Sequence, residues 1–312
     1  MARNENLYKA KTEKNDEFYT RLMDVVEELK YYKDHFRDKI VFCNCDDPTR
    51  SAFWKYFHLN FGKLGLRKLV STHYDKNRST YKMEYEGGDD NDVGAGTKTA
   101  LEGNGDFRDK ECLGLLDECD IVVTNPPFSL ARSYVEVLMR HEKRFVIIGD
   151  LNWIPYKEVF PLLRDNRIWL GYCSVKEFIQ PNGSIKKFGN KLWYTNLDIV
   201  KRHEMLILHK KYTPEEYPVY DNYDAINVDK VANIPVDYDG VMGVPITFFD
   251  KYCPEQFEIV GIACGNSWAN YAETLKSLNF NPNIKYGGGL GNGVINGKGC
   301  YARILIRKIG QI

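Results

Sequence analysis

The chain of 312 residues is long enough for one large domain or for a domain with a smaller companion, and its 43% hydrophobic and 28% charged residues are typical of an ordinary globular protein. The 43 basic residues balance 43 acidic ones, and this zero net charge argues against a general polyanion binder. No apolar run approaches the roughly 18 residues that a membrane span needs, and Met1 to Asn6 contain no apolar core of a signal peptide, so we expect a cytoplasmic protein.

The eight cysteines are scattered along the chain, and none forms a CxxC pair. This spacing supports neither a zinc site nor a redox motif, so we expect no metal. Cys43 and Cys45 alternate along a predicted strand, and we interpret them, like the others, as small buried apolar side chains.

The predicted elements of the first 85 residues alternate between helix and strand. A helix over 24–36 is followed by a strand over 39–45, a helix over 51–64 and a strand over 67–72. Between the first strand and the second helix, Asp46-Asp47-Pro48 predicts an acidic N-cap followed by proline at the first helical position.

The alternation continues after a stretch rich in glycine and aspartate, 86–105, which we interpret as a surface loop. A helix over 113–119, a strand over 120–124, a helix over 129–141, a strand over 144–148, a helix near 156–165 and a strand over 168–170 follow. Such alternation predicts an α/β fold with right-handed crossovers and a doubly wound, mostly parallel sheet.

The character of the chain changes after about residue 210, where six prolines divide it into short pieces. We therefore predict a first domain over 1–210 and a smaller, irregular or β-rich unit over 211–312. The segments 182–211 and 282–312 are rich in lysine and arginine and hint at contacts with phosphates.

Asn125-Pro126-Pro127-Phe128 follows the apolar run that ends at Thr124. The Asn125 amide oxygen and a backbone carbonyl held by the prolines are two acceptors for one exocyclic amine, which they would turn toward an electrophilic methyl group. Phe128 offers an apolar face on which a flat base can stack. The motif also fits a simple proline-stiffened turn after a strand, so the rest of the chain must decide between the two.

The acidic turn and the Asn-Pro-Pro-Phe turn each follow a predicted strand. Because ligands of such sheets bind at the carboxyl ends of the strands, we expect Asp46, Asp47 and Asn125 to converge on one crevice.

These segments together resemble the adenine-specific amino-methyltransferases of DNA, and more narrowly the family of the EcoRI modification methylase. The resemblance runs over most of the chain and rests on the segments 16–20, 42–48, 120–129, 193–198, 220–227, 240–248 and 254–257. One departure from methyltransferases at large is the turn over 43–47, which has no glycine where their first motif is glycine-rich.

The resemblance implies a Rossmann-like fold that binds S-adenosyl-L-methionine, and it implies a role for particular residues. The cofactor-binding residues are then Phe18, Tyr19, Thr20, Asn44, Asp46, Asp47 and Asp106. The catalytic residues are Asn125, Pro126, Pro127 and Phe128, and the base-stacking residues are Phe128, Trp193 and Tyr194.

The function implied is methyl transfer from S-adenosyl-L-methionine to adenine N6 in a specific double-stranded DNA sequence, after base flipping. Residues 1–210 would bind the cofactor and catalyse, and 211–312 would read the DNA. We expect a monomer without an obligatory protein partner, in restriction-modification or in modification of phage or host DNA. The alternatives are methylation of cytosine N4, an RNA adenine or a protein glutamine, or a catalytically silent DNA-binding homologue.

Overall fold

The computed structural model describes residues 18–76, 80–180, 182–264, 276–286 and 291–310. The chain divides into two compact units, of which the first comprises the residues up to Asp150 together with Leu170–Leu197. The second comprises Leu151–Trp169 and the residues from Asp198 onward. In the described part of the chain, no helix has both the length and the apolar character needed to cross a membrane.

The first unit contains a sheet of nine strands. In chain order they are β1 (Tyr19–Thr20), β2 (Ile40–Cys43), β3 (Lys68–Thr72), β4 (Tyr81–Tyr85), β5 (Thr97–Ala100), β6 (Ile121–Thr124), β7 (Arg144–Asp150), β8 (Trp169–Ile179) and β9 (Ile185–Thr195). Their spatial order is β1-β8-β9-β7-β6-β2-β3-β4-β5.

The four central strands, β3, β2, β6 and β7, are parallel to one another. All four residues of β6 are buried, and so are the last three of β2. Continuous apolar runs of this kind are expected for parallel strands that are covered on both faces. The predicted strands over 39–45, 67–72, 120–124 and 144–148 are therefore the centre of a mixed α/β fold with a large sheet.

The sheet is antiparallel toward both edges, where β1 pairs with β8, β9 with β7, β4 with β3, and β5 with β4. The prediction of a loop over 86–105 was wrong in part, because Thr97–Ala100 forms the edge strand β5. All four of its side chains are exposed, so the apolar alternation that identifies a strand is missing from the sequence.

The helices of the first unit are α1 (Leu22–Leu29), α2 (Ala52–Leu59), α3 (Phe61–Leu64), α4 (Lys110–Glu118) and α5 (Ala131–Arg140). Short 3-10 turns cover Lys33–His35 and Phe128–Leu130. The predicted acidic N-cap before α2 was wrong: Ser51 caps this helix, and its hydroxyl accepts a hydrogen bond from the Trp54 amide. Asp46 and Asp47 are thereby left in the turn between β2 and α2.

The second unit begins with a 3-10 turn at Leu151–Trp153 and the helix α6 (Phe160–Arg164), and 3-10 turns recur at Val200–His203, Val231–Asn233 and Ile246–Lys251. Its strands are β10 (Ile226–Asn227), β11 (Met242–Pro245), β12 (Phe257–Ala263), β13 (Val294–Ile295), β14 (Lys298–Gly299) and β15 (Arg303–Lys308). A sheet in the order β10-β11-β15-β12 carries its core, and β13 pairs with β14.

Candidate active site

The acidic turn and the Asn-Pro-Pro-Phe turn lie where the strand order of the sheet changes direction. From β2 the chain continues to the neighbouring β3, whereas from β6 it continues to β7 on the other side. Asn44 to Asp47 follow β2, and Asn125 to Phe128 follow β6, which is hydrogen-bonded to β2. The crevice beside such a reversal is where ligands of open α/β sheets bind.

The side-chain amide of Asn125 has a hydrogen-bond partner for its nitrogen but, among the described residues, none for its oxygen. Its Nδ2 donates a hydrogen bond of 2.6 Å to the backbone carbonyl of Phe18. Because a carbonyl can only accept, this contact fixes which end of the amide is nitrogen. The opposite atom, Oδ1, is buried and has no hydrogen-bond partner among the described residues. An acceptor is therefore held ready for a donor that the described residues do not supply.

The prolines that follow shape the turn behind this acceptor. Pro126 is buried, and the Pro127 carbonyl accepts a hydrogen bond from the Leu130 amide that closes the 3-10 turn. This use of the Pro127 carbonyl leaves that of Pro126 as the candidate second acceptor for an amine.

Phe128 belongs to an aromatic cluster that we define as Phe18, Phe128, Phe178 and Phe188. The Phe18 ring lies nearly parallel to that of Phe128, with an interplanar angle of 26° and centroids 6.3 Å apart. Phe178 and Phe188 meet Phe128 at steep angles of 90° and 67°. Phe178 is fully buried, whereas the other three members are partly exposed. The cluster provides apolar ring faces beside the Asn125 acceptor.

An ion pair between the buried Lys191 and the partly buried Asp150 lies against this cluster. Lys191 donates to Asp150 at 2.6 Å, and Asn190 donates to the other carboxylate oxygen of Asp150 at 2.7 Å. The Lys191 ammonium lies 3.9 Å from the centroid of the Phe128 ring. The sequence analysis did not predict this ion pair, nor a role for Phe178 and Phe188. Only the register of β9 against β7 pairs Lys191 with Asp150.

The turn after β2 has an unusual backbone. Cys45 has a φ of +64°, in the left-handed region that glycine adopts most easily. The absence of glycine noted in the sequence therefore leaves a cysteine in a conformation that costs it about 1–2 kcal/mol. The neighbouring Asn44 is buried: its carbonyl accepts from the Thr124 hydroxyl and its side-chain oxygen from Tyr134. Asn44 thus ties β2 to β6 and α5.

The two acids of this turn differ in their surroundings. Burial raises the pKa of Asp46 to about 7, although the Ser51 hydroxyl donates to its carboxylate at 2.5 Å. Burial also opposes ionisation of Asp47, but hydrogen bonds from Thr49 and Tyr81 and the nearby His73 bring the pKa of Asp47 below its usual value. Asp46 is therefore ready to ionise beside a cation, whereas Asp47 is already ionised at neutral pH.

Asp106 lies in a loop that packs closely on the end of β3. Gly105, at φ +76°, approaches so near that a Cβ there would lie 1.9 Å from the His73 carbonyl oxygen. Arg108 binds both carboxylate oxygens of Asp106, and these hydrogen bonds lower the pKa of the Asp106 carboxyl. The structure therefore brings Asp106 toward the carboxyl end of β3.

The N-terminal segment Phe18–Thr20 reaches the sheet through β1, which pairs with the end of β8. The guanidinium of Arg50 lies over the Tyr19 ring at 5.7 Å. The Thr20 hydroxyl is buried without a hydrogen-bond partner in the described ranges. Phe18 contacts the Asn125 turn directly, as described above.

Trp193 and Tyr194, the two rings of β9 that the resemblance assigns to base stacking, are buried in the core. Their side chains are 0% and 1% exposed, the Trp193 ring packs edgewise on Phe53, and the Tyr194 hydroxyl donates to the Asp150 carbonyl. Neighbouring residues of a strand point to opposite faces of the sheet, and here both faces are covered by the core. Neither ring has an exposed face in this structure, and base stacking by Trp193 or Tyr194 stays a prediction.

Several buried polar atoms near these strand ends lack partners in the described part of the protein. They are Oδ1 of Asn125, Oγ1 of Thr20 and Thr80, and Nδ1 of His73. Since buried polar groups are ordinarily hydrogen-bonded, this set suits a polar ligand such as a nucleoside with an amino acid group. Within the described ranges, no group of three or more His, Cys, Asp and Glu is arranged to hold a metal ion.

The chain is similar to a known protein family and to individual proteins. Residues 6–309 match the model of a family described as adenine-specific methyltransferase EcoRI. The chain is 46% identical over 295 residues to the Type II methyltransferase M.EcoRI of Escherichia coli, which covers 83% of this chain and 89% of that protein.

Two mycoplasma proteins are also similar. Identity is 36% to the Type II methyltransferase M.MgeORF184P of Mycoplasma genitalium, over 96% of this chain and 98% of the relative. It is 34% to the Type II methyltransferase M.MpnI of Mycoplasma pneumoniae, over 96% and 97% respectively. No solved structure gives a significant match to the chain.

Proposed function

Because this chain belongs to the EcoRI family of adenine-specific methyltransferases, we propose that it methylates the N6 amine of an adenine within a specific sequence of double-stranded DNA. The methyl donor is S-adenosyl-L-methionine, and the role is modification within a restriction-modification system or of phage or host DNA. The observation that carries the proposal is the buried Asn125 oxygen, which has no hydrogen-bond partner among the described residues and lies beside the partly exposed Phe128 ring.

The residues around the reversal of the sheet fit the cofactor. The central strands and their crossovers support a Rossmann-like, doubly wound architecture, in which the crevice beside β2 receives the cofactor. Asp46 or Asp47 would take its ammonium group, and Asp106 would lie near its adenine. Thr20 would offer its unpartnered hydroxyl. When bound, S-adenosyl-L-methionine supplies an electrophilic methyl group on a sulfonium, which is a good leaving group.

The Asn125 turn holds the nucleophile. The Asn125 oxygen and the Pro126 carbonyl each accept one N–H of the adenine amine, which draws the nitrogen lone pair out of conjugation with the ring. Phe128 supports the ring by stacking. Since the amine can lose its proton after transfer, the protein needs no strong base, and catalysis rests on alignment of the reacting atoms.

The target atom lies inside the stacked duplex, so the adenine must leave the helix at a cost of a few kcal/mol. Residues 211–312 would read the sequence around it through major-groove contacts. Lys210, Lys211, Lys285 and Lys298 are exposed and suit contacts with phosphates. The enzyme would act as a monomer, without an obligatory protein partner, in the cytoplasm.

One experiment reports activity, product and target together. A plasmid from a methylation-free host is incubated with the protein and S-adenosyl-L-methionine, digested to nucleosides and, in parallel, sequenced for modified bases. N6-methyladenine at one recurrent sequence is the expected result. N4-methylcytosine instead, or modification of RNA alone, would overturn the proposal.

Asn125→Ala tests the observation that carries the proposal. This variant should lose transfer by at least about 100-fold, as expected when a preorganised hydrogen-bonding group at the reacting centre is removed. Its binding of S-adenosyl-L-methionine by calorimetry should change little. The matched control is Asn91→Ala, at an exposed position of the loop before β5. Near-normal turnover by Asn125→Ala would refute the assignment.

A further inference from the structure

We infer that Phe18 is the second wall of the base pocket and faces the target adenine opposite Phe128. This inference rests on the proposed function and deepens it, since it assigns to the N-terminal segment a contact with the DNA base. The resemblance alone had implied only a contact between Phe18 and the cofactor.

The spacing of the two rings is the first observation. Phe18 and Phe128 are nearly parallel, at 26°, with their centroids 6.3 Å apart. Stacked bases in DNA are separated by about 3.4 Å, so a base between two rings requires about 7 Å. The centroid separation of 6.3 Å is therefore close to the spacing that a base between two rings requires.

The second observation is that the same residue orients the amine acceptor. The Phe18 carbonyl accepts from Asn125 Nδ2 at 2.6 Å, and this bond turns Asn125 Oδ1 the other way, into its buried position without a described partner. A base whose ring lies against Phe18 would therefore bring its amine to an oxygen that Phe18 itself has placed. One residue sets both the stacking surface and the direction of the hydrogen bond.

The third observation is that the ring of Phe18 is held by its neighbours. Phe178 and Phe188 meet it edgewise at 6.2 Å and 5.1 Å, and the Lys186 ammonium lies 5.0 Å from its centroid. Edge-to-face contacts of this kind favour a fixed ring orientation. Trp193 and Tyr194 are buried in the core, whereas Phe18 is partly exposed, nearly parallel to Phe128 and hydrogen-bonded to Asn125.

The variant Phe18→Leu distinguishes a role of Phe18 in the base pocket from a role in binding the cofactor. It keeps the backbone carbonyl and the apolar bulk but removes the ring face. With the cognate duplex and saturating S-adenosyl-L-methionine, single-turnover methylation should fall about 10- to 100-fold, the range expected for loss of one base–aromatic stack. The affinity for S-adenosyl-L-methionine, measured by calorimetry without DNA, should change less than about 3-fold on the same reasoning.

Phe18→Tyr should restore most of the rate, because it restores the ring. The matched control is Met23→Leu, which alters an exposed side chain of α1 and should leave the rate unchanged. A Phe18→Leu enzyme that weakens cofactor binding but methylates at the normal rate when saturated would overturn the inference.

Phe18→Trp provides a second measurement that does not depend on turnover. Its additional fluorescence, taken as the difference from the wild type, should be quenched by cognate DNA that carries the target adenine. DNA with an abasic site at the target position should quench it far less. Equal quenching by both duplexes would contradict a contact between residue 18 and the base.

The outcomes also distinguish failure of the inference from failure of the proposed function. A wild-type enzyme that makes no N6-methyladenine would refute the proposed function. A wild-type enzyme that makes it, with a fully active Phe18→Leu variant, would refute only the role of Phe18.

Discussion

Asp46→Asn tests the energetics of the turn that follows β2. The Asp46 side chain is buried, accepts a hydrogen bond from Ser51 and lies beside the charge of Asp47. Burial is the largest influence and raises its pKa from 3.8 to about 7. Asparagine keeps the shape and the acceptor for Ser51 but cannot ionise.

The direction in which the free energy of unfolding changes with pH follows from proton linkage. An acid with a raised pKa in the folded state takes up a proton on folding between the two pKa values, so the free energy of unfolding falls as pH rises through this range. The difference between 3.8 and about 7 corresponds to a loss of about 4 kcal/mol for this one group. Its contribution is full below about pH 4 and gone above about pH 7.

Calorimetric unfolding at a series of pH values from 5 to 8 would measure this effect. The wild type should lose stability relative to Asp46→Asn as pH rises, with most of the change complete near pH 7. The control is Asp47→Asn, whose sign is opposite because the pKa of Asp47 is lowered in the fold. Asp47→Asn should be less stable than the wild type by a constant amount between pH 5 and 8, and this deficit should shrink only below the ordinary pKa of 3.8.

The reasoning would be refuted if the wild type and Asp46→Asn changed in parallel between pH 5 and 8. It would also be refuted if the wild type gained stability relative to the variant over that range. Either result would mean that the Asp46 carboxylate is stabilised in the fold by more than the Ser51 hydrogen bond.

Two further predictions concern residues beside the carboxyl ends of β7 and β2. Lys191→Met should destabilise the protein by about 1–3 kcal/mol, because it removes the ammonium that pairs with the partly buried Asp150 carboxylate, whereas Lys191→Met with Asp150→Asn should recover much of the loss. Thermal unfolding measures both variants, and a double variant as unstable as the single one would contradict this account. Cys45→Gly should be more stable than Cys45→Ala by about 1 kcal/mol, since only glycine adopts the left-handed φ without strain; equal denaturant midpoints would count against strain at Cys45.

The central strands could be predicted because their signal is local. The runs that end at Cys43 and Thr124 are continuously apolar, and such runs form the buried centre of a parallel sheet. The edge strand Thr97–Ala100 could not be predicted, because its exposed polar side chains follow no period. The N-cap of α2 was misassigned to an acid, because Ser51 and Asp46 both suit that position by residue type and only the backbone of the turn decides between them.

The residues around Asn125 also divide into those that the sequence reveals and those that only the tertiary structure reveals. The chemistry of the Asn-Pro-Pro-Phe turn is legible in the sequence, since an amide oxygen, a stiffened carbonyl and an aromatic ring stand side by side. The aromatic cluster and the pairing of Lys191 with Asp150 are not legible, because their members come from β1, the turn after β6, β7, β8 and β9. Trp193 and Tyr194 have the residue type expected for base stacking, but the sequence does not show that both rings are buried in the core.

The sequence by itself therefore determined the family, the parallel centre of the sheet and the residues that we propose to meet the amine, since these depend on residue type and local order. The tertiary structure decided which aromatic rings stay open to a base, how Asn125 is oriented and how the two acids after β2 differ in pKa. Those properties depend on distance, burial and hydrogen bonds between segments remote in the chain. Phe18 shows the difference most directly: 107 positions before Asn125, it places the oxygen on which the proposed reaction depends.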